Sequence, residues 1–226
     1  MPSRVFNVSE RPFSEIRGVA VAITRVDDDQ RHVGILHKEG ATGEVRLLHL
    51  AWHLTLRNNT PKPCYAWVDP SIHPARALQV AARCRQIYRA NERGIPYAFS
   101  APNDCFDRER GIYLFGPTRH GLTCASFVLA VFDLSGLPLI RYETWPNSRQ
   151  DDEVWKRRII ASIKDDPNGT PEHIKAIESE LQATRYRPED VAGAAAGENI
   201  PASFEDAARM GQKILDKLAA EGLCIT

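Results

Sequence analysis

The 226-residue sequence lacks an excess of either charge and lacks any long apolar run. Lysine plus arginine and aspartate plus glutamate each number 29, so no overall field favours nucleic acid or a membrane surface. No apolar run approaches the length of a membrane span, and the N-terminal stretch has no apolar signal-peptide core. We therefore expect a cytoplasmic protein without a nucleic-acid partner or an integral membrane segment. Signal-independent export as an effector is the alternative.

Cysteine pairs with short spacing are also missing. The five cysteines are odd in number, widely scattered and form no C-x-x-C pair. This distribution argues against a disulfide framework and a zinc knuckle, and it favours a reducing compartment. The five are Cys64, Cys84, Cys105, Cys124 and Cys224.

Several common catalytic signatures are absent. The chain has no G-x-S-x-G, no phosphate-binding glycine loop, no H-E-x-x-H and no dinucleotide-binding glycine pattern. Serine hydrolases, nucleotide-binding enzymes and zinc peptidases of the usual kinds thus have no local signal here. No metal or other cofactor is expected.

The chain changes character near residue 145, from predicted strands and two helices to helices alone. The hydrophobic pattern predicts strands over residues 18–26, 31–37, 44–50 and 64–68, with 58–63 as a loop, and helices over 74–91 and from 124 to 134. Further helices are predicted over 151–164, 171–183, 188–196 and 203–220, with Lys156 on a solvated face. We expect an α+β fold in which an antiparallel sheet packs on the helix that begins near Cys124. Residues 1–145 would form this core, and residues 146–226 a helical extension that covers it or binds a partner protein.

Cys124 occupies the first turn of a mostly apolar helix. Gly121 permits a turn, Thr123 is a suitable N-cap, and Phe127 belongs to a segment that must be buried. Unpaired N–H groups and the helix dipole favour a thiolate at this position, and a neighbouring N–H could bind an oxyanion. The alternative is an ordinary buried thiol. Cys105 is a weaker rival because no apolar helix follows it.

Two histidines are placed to act on such a thiol. His32 begins one strand of the predicted hairpin and His49 ends the other, so they lie near one end and could point to the same side. A thiol acyl-transfer site needs a nucleophile, a base and a group that orients the base, and Cys124, His32 and His49 can fill these roles. Each histidine could instead be a half-exposed strand residue. A metal site is a weaker alternative because its members alternate between faces; it would use His32, His37, His49 and His53.

Three short segments resemble a known superfamily. They are His-Val-Gly-Ile at 32–35, Leu-Leu-His-Leu-Ala at 47–51 and Thr-Cys-Ala-Ser-Phe-Val at 123–128. Together they resemble the circularly permuted papain-like (NlpC-type) cysteine hydrolases, in particular the lecithin retinol acyltransferase-like branch with its His, His, Cys order. The resemblance implies a permuted papain-like core with Cys124 as nucleophile, His32 as general base and His49 as the orienting residue. Tyr97 is similar to a tyrosine that precedes the cysteine in NlpC enzymes.

These observations predict a metal-independent cysteine hydrolase that acts on an amide, as a peptidase, amidase or deamidase, through a thioester. The Ala-Ser after Cys124 is nearer the Ser-Gly of the peptidases than the Glu-His of the acyltransferases. Tyr97 and Thr123 are candidate oxyanion or substrate contacts, and the substrate would be peptide, protein or a lipid-derived acyl group. The alternatives are a thiol acyltransferase or lipase on lipid esters and a catalytically silent protein-interaction module. An active site predicts a low thiol pKa at Cys124 that depends on His32.

Overall fold

The computed structural model describes residues 5–40, 42–70, 72–116 and 120–221, and its fold is α+β. A six-stranded antiparallel sheet has the order β1-β6-β2-β3-β4-β5. Its strands are β1 (Val5–Phe6), β2 (Val19–Arg25), β3 (Arg31–Lys38), β4 (Val45–Trp52), β5 (Thr55–Asn59) and β6 (Ala66–Val68). The strands predicted over 18–26, 31–37 and 44–50 are confirmed as β2, β3 and β4, which pair antiparallel in that order.

Six helices accompany the sheet within the described ranges. They are α1 (Pro74–Ala90), α2 (Cys124–Leu134), α3 (Asp152–Lys164), α4 (Pro171–Ser179), α5 (Pro188–Ala196) and α6 (Phe204–Glu221). Their positions confirm the helices expected from the spacing of apolar residues. No helix in the described part of the chain is long and apolar enough to cross a membrane.

The two faces of the sheet are covered differently because side chains alternate along each strand. Val21 and Ile23 of β2 point into the main core, which also receives α1, α2 and α5. Ala20 and Ala22 point to the opposite face, where a smaller apolar cluster gathers around Trp67. Leu36 of β3 and Leu47 of β4 belong to this second cluster, so His32 and His49, four and two residues away, fall on the same face of their strands.

The pairing of β3 with β4 stops before the ends of the strands that carry these histidines. The paired residues between β3 and β4 run from Lys38–Val45 to Ile35–Leu48. Pairing of β3 with β2 continues four residues further, to Arg25–Arg31. Among the described residues β3 therefore stays with β2 and β4 stays with β5, which leaves an opening between β3 and β4 that faces α2.

The helices after residue 146 share one apolar core with the sheet. α5 contacts β2 and β3, and α5 also packs closely on α6. The close packing requires glycine, since a Cβ on Gly193 would lie 2.2 Å from the Ala207 carbonyl oxygen. The prediction that Lys156 lies on a solvated face is wrong: it is 2% exposed, and its ammonium donates to the Leu181 and Ala183 carbonyls.

Two further expectations need correction. Residues 58 and 59, predicted to begin a loop, are the last two of β5, an edge strand paired with β4. Among the described cysteines, Cys84, Cys105 and Cys124 are free, but Cys64 is disulfide-bonded, so the expectation of reduced cysteines does not hold there. Cys224 lies outside the described residues.

Candidate functional site

The start of α2 is fixed by a reciprocal cap, which confirms Thr123 as the N-cap. The Thr123 hydroxyl accepts the Ser126 N–H at 3.1 Å, and the Ser126 hydroxyl accepts the Thr123 N–H at 2.8 Å. This capping box makes Cys124 the first residue of the helix. Because the Thr123 hydroxyl is occupied by the cap, its contribution to the site is to place the thiol.

A close backbone approach holds Tyr97 beside Cys124. The Leu122 N–H donates to the Pro96 carbonyl at 2.9 Å, and a Cβ on Gly121 would lie 2.3 Å from that same oxygen. Only glycine fits between these two segments. As a result the Tyr97 side chain reaches the N-terminus of α2, where hydrogen bonds link it to the backbone and the thiol of Cys124.

Two buried histidines hold the backbone of Tyr97 from opposite sides. The Tyr97 N–H donates to His53 Nδ1 at 3.2 Å, and His173 Nε2 donates to the Tyr97 carbonyl at 2.9 Å. The rings of the two histidines stack with centroids 4.5 Å apart, and both side chains are at most 1% exposed. Burial lowers the pKa of each, so both are neutral near pH 7, as the donor and acceptor roles require.

Burial raises the pKa of the Cys124 thiol, in contrast to the low value expected from the sequence. Four interactions oppose this effect and favour the thiolate. They are the N–H groups of Val33 and Ala125, the Tyr97 hydroxyl and the positive charge of Arg185. Val33 directly follows His32 on β3, so the thiol lies against the backbone of that strand at the opening between β3 and β4. In the resting site the thiol is therefore protonated and needs a base.

His32 and His49 meet, as the hairpin register allowed. His32 Nε2 lies 2.6 Å from His49 Nδ1, and the ring centroids are 4.8 Å apart. His49 Nε2 in turn lies 3.3 Å from Asn59 Oδ1. The close approach depends on Gly34, because a Cβ there would be 2.8 Å from His49 Cβ. The result is a hydrogen-bonded chain from His32 through His49 to Asn59.

The pKa values and hydrogen bonds of His32 and His49 indicate which of their ring nitrogens carry protons. Burial, aided by the charges of His49 and Arg57, lowers the pKa of His32 to about 3. Burial also lowers the pKa of His49 to about 4. Both rings are thus neutral near pH 7. If His49 Nε2–H donates to Asn59, His49 Nδ1 must accept from His32 Nε2–H, which leaves His32 Nδ1 without a proton and able to act as a base.

The thiol and the histidine pair open into different cavities. The Cys124 cavity, about 370 Å³, is lined by Cys124 and Tyr97 and by residues of the helical segment, including Trp155 and Arg185. The histidine cavity, also about 370 Å³, is lined by His32, His49, Asn59, Arg57, Lys62 and Tyr65 among others. Gln30 lines both cavities. The structure therefore brings His32 and His49 together, whereas the Cys124 thiol borders a different cavity from theirs.

The rival nucleophile is placed elsewhere. Cys105 donates to the Pro102 carbonyl at 3.1 Å and is 1% exposed. Burial raises its pKa to about 12, and it borders a third cavity near Asp133 that contains neither His32 nor His49. Within the described ranges, no group of three or more His, Cys, Asp or Glu side chains could hold a metal ion. His37 instead contacts Asn58 Oδ1 at 2.8 Å.

Four contributors to this site were not found by sequence reasoning. The sequence predicts Asn59 in a loop, since Thr-Leu-Arg-Asn-Asn alternates only weakly, although Thr55 and Leu56 are a modest strand signal. His173 lies in the helix predicted over 171–183 and carries no local signal of a contact with Tyr97, and the sequence indicates His53 only as a member of the weaker metal-site alternative. Arg185 follows α4 and carries no local signal, because its position depends on how the helices after residue 146 pack on the sheet.

Comparisons with known proteins give this site no assignment, since no protein-family model, no curated protein and no solved structure matches the chain.

Proposed function

We propose that this protein is a cysteine-dependent hydrolase that acts on an amide through a thioester, with Cys124 as nucleophile, His32 as base and His49 as the orienting residue. The observation that carries the proposal is the hydrogen-bonded chain from His32 through His49 to Asn59, on the strand whose next residue, Val33, donates its N–H to the Cys124 thiol. A nucleophile, a base and an orienting group in sequence are the elements of a thiol acyl-transfer site.

The proposed reaction follows from the protonation states. His32 Nδ1 takes the proton of the Cys124 thiol as sulfur attacks the amide carbonyl carbon and forms a C–S bond. The tetrahedral oxyanion receives a hydrogen bond from the Tyr97 hydroxyl, which already contacts Cys124. The C–N bond then breaks as His32 returns the proton to the leaving amine. Water, deprotonated by His32, attacks the thioester and releases the acid and the thiol.

We infer that the core is a circularly permuted papain-like fold. Support comes from the chain order: two neighbouring antiparallel strands contribute His32 and His49, and a later buried helix begins with Cys124 and packs against them. That order is the one expected from the resemblance to the lecithin retinol acyltransferase-like branch.

The lining of the Cys124 cavity favours a polar substrate over a lipid ester. Charged side chains surround the thiol, and they include Asp29, Arg31, Asp151, Arg158, Arg185 and Arg187. An alkyl chain of a lipid would remove water from these charged groups and offer no hydrogen bond in return, at a free-energy cost, whereas a peptide-like substrate offers donors and acceptors. We therefore propose a peptide, protein or other polar amide.

The experiment that tests this function is acylation of the native protein by p-nitrophenyl acetate, followed by mass spectrometry of its peptides. We expect the acetyl group on Cys124, turnover of the ester, and a loss of turnover of roughly 10²- to 10⁴-fold in His32→Ala, the range expected for a general base. Cys105→Ala, which removes a thiol outside the proposed site, should retain wild-type turnover. Acetylation of Cys105 in place of Cys124, or equal turnover in wild type and His32→Ala, would contradict the proposal.

With a turnover assay established, a panel of amides with a fluorogenic leaving amine distinguishes an amidase from an esterase. Hydrolysis of at least one such amide that is lost in Cys124→Ser supports the assignment. Hydrolysis restricted to long-chain esters would favour the lipase alternative and contradict the amide assignment.

A further inference from the structure

Arg185 is a charged residue near Cys124 that has no role in the proposed reaction. It lines the Cys124 cavity, and its guanidinium carbon lies 3.9 Å from the centroid of the Trp155 ring. One terminal nitrogen, Nη1, donates to Asp152 Oδ1 at 3.2 Å. The Nε–H is buried and has no hydrogen-bond partner among the described residues. A buried arginine donor without a partner is costly, so this group is well suited to an acceptor supplied by a ligand.

The local charge balance also leaves positive charge for a ligand. Asp152 is 2% exposed and accepts hydrogen bonds from both Arg185 and Arg187, so one carboxylate faces two guanidinium groups. The neighbouring buried acid, Asp190, is paired with Arg149 at 2.6 Å. Glu189 lines the same cavity, is half-buried and is a further counter-charge of Arg185, but Lys156 adds another positive charge beside Asp152. An anion that entered beside Arg185 would therefore meet an incompletely neutralised guanidinium.

Arg185 is close enough to act on the reacting groups. It shares the cavity with Cys124 and Tyr97. Its positive charge works against burial at both residues, favouring the ionised form of the thiol and of the phenol. The same charge would attract a carboxylate that lies a few bonds from the scissile carbonyl.

We propose that Arg185 binds a carboxylate on the acyl side of the substrate, so that the enzyme selects amides whose acyl group carries a free carboxylate near the scissile carbonyl. This inference rests on the proposed function, because it requires that Cys124 receives the acyl group. Trp155 positions the guanidinium by stacking and Asp152 holds Nη1, so that the positive charge of Arg185 lies at the wall of the Cys124 cavity.

Two alkylating reagents of nearly equal size test the charge next to Cys124. In both iodoacetate and iodoacetamide the sulfur displaces iodide from a methylene carbon, a C–S bond replaces the C–I bond, and the thiol proton passes to His32 or to solvent. The reagents differ in having a carboxylate or a neutral amide on that carbon. The ratio of their second-order rate constants, iodoacetate over iodoacetamide, thus reports the attraction of the site for a carboxylate.

We expect this ratio to fall roughly ten- to a hundredfold from wild type to Arg185→Gln, as for loss of one charge-assisted hydrogen bond. Arg185→Lys should retain part of it. Arg158→Gln is the matched control, because Arg158 lines the same cavity but is 56% exposed and should change the ratio little. An unchanged ratio in Arg185→Gln, with Cys124 still reactive, would overturn the inference and leave the proposed function standing.

A measurement on the wild-type protein covers the case in which Arg185→Gln does not fold. Succinate should slow the labelling of Cys124 by iodoacetamide, whereas the neutral succinamide should not. Equal labelling rates with both additives would overturn the carboxylate site. If neither reagent labels Cys124 in the native protein, the proposed function fails and this inference fails with it.

Discussion

At the scale of the residue, the site depends on side chains that exist in one protonation state because they are buried. His32 and His49 are neutral bases held in a chain that ends at Asn59. Cys124 is a protonated thiol for the same reason. A neutral thiol and a neutral imidazole pair cost less to bury than a preformed ion pair. The sequence predicts a low thiol pKa because it does not show that α2 is buried beneath the helices that follow residue 146.

Replacement of Tyr97 by phenylalanine tests the proposed oxyanion donor. Tyr97→Phe removes a hydroxyl that hydrogen bonds to Cys124 but keeps the ring packed on Trp52, with centroids 5.0 Å apart. We expect turnover of p-nitrophenyl acetate to fall by about 10²- to 10³-fold, the cost of one oxyanion donor, with little change in the urea midpoint.

The matched control is Tyr113→Phe, since the Tyr113 hydroxyl is buried and has no hydrogen-bond partner within the described ranges. Its loss should leave turnover unchanged. If Tyr97→Phe turned over as fast as Tyr113→Phe, the Tyr97 hydroxyl would have no part in the reaction.

At the scale of the element, the strands that carry His32 and His49 were predictable and their environment was not. The β-branched apolar residues of β2 and the alternation along β3 and β4 define a hairpin whose register places the two histidines together. The edge strand β5 lacks such a pattern, so Asn59 was missed. The segment before α2 has no regular structure to predict, and Tyr97 reaches Cys124 through the contact of Gly121 with Pro96 and through His53 and His173, which are 120 residues apart.

Gly34→Ala tests whether the close approach of β3 and β4 holds His49. The new Cβ would lie 2.8 Å from His49 Cβ and 3.0 Å from the Leu48 carbonyl oxygen, so one strand must shift. We expect a loss of about 1–3 kcal/mol in the free energy of unfolding, measured with urea, together with a marked loss of turnover.

Gly116→Ala is the control for Gly34→Ala, because a Cβ there would have no neighbour within 4 Å among the described atoms. It should change neither stability nor turnover appreciably. Wild-type stability in Gly34→Ala would show that the strands can separate without cost, and the proposed role of Gly34 in placing His49 would be wrong.

At the scale of the whole molecule, the helices after residue 146 and the sheet form one apolar core and jointly enclose the Cys124 cavity. The sequence predicted those helices well, since each has apolar residues at helical spacing. It did not predict which surface they cover, because an amphipathic pattern identifies a buried face but not its partner. Lys156 and Arg185 illustrate this limit. Both are of residue types that are usually exposed, yet the first is buried and the second lines the cavity.

Five neutral histidines with lowered pKa values, four of them buried and His32 half-buried, predict a protein that loses stability in mild acid. Burial lowers the pKa of His32, His37, His49, His53 and His173 from the usual 6.5. Below that value the unfolded chain takes up protons that the folded chain does not, so stability present at pH 7 is lost as the pH falls. Each such histidine contributes a slope of up to about 1.4 kcal/mol per pH unit.

Urea unfolding between pH 7 and pH 4.5 measures this effect. Asp133, whose pKa burial raises to about 6, and Asp190, whose pKa burial also raises, act in the opposite direction, but they are two groups against five. We therefore expect the free energy of unfolding to decrease steadily below pH 6.5. A stability that is constant or rising from pH 7 to pH 5 would contradict the neutral, buried state of these histidines.

The measurement that tests the central claim most directly is the rate of Cys124 alkylation by iodoacetamide as a function of pH, in wild type, His32→Ala and His49→Ala. With His32 as an internal base, the wild-type rate should stay nearly constant from pH 8 to pH 6, because the reacting species is then the neutral thiol with the neutral imidazole, whose population does not change in that range. In His32→Ala the rate should instead fall about tenfold per pH unit with the thiolate fraction, and His49→Ala should be intermediate. If wild type and His32→Ala fall together, Cys124 reacts without His32 and the proposed catalytic site is wrong.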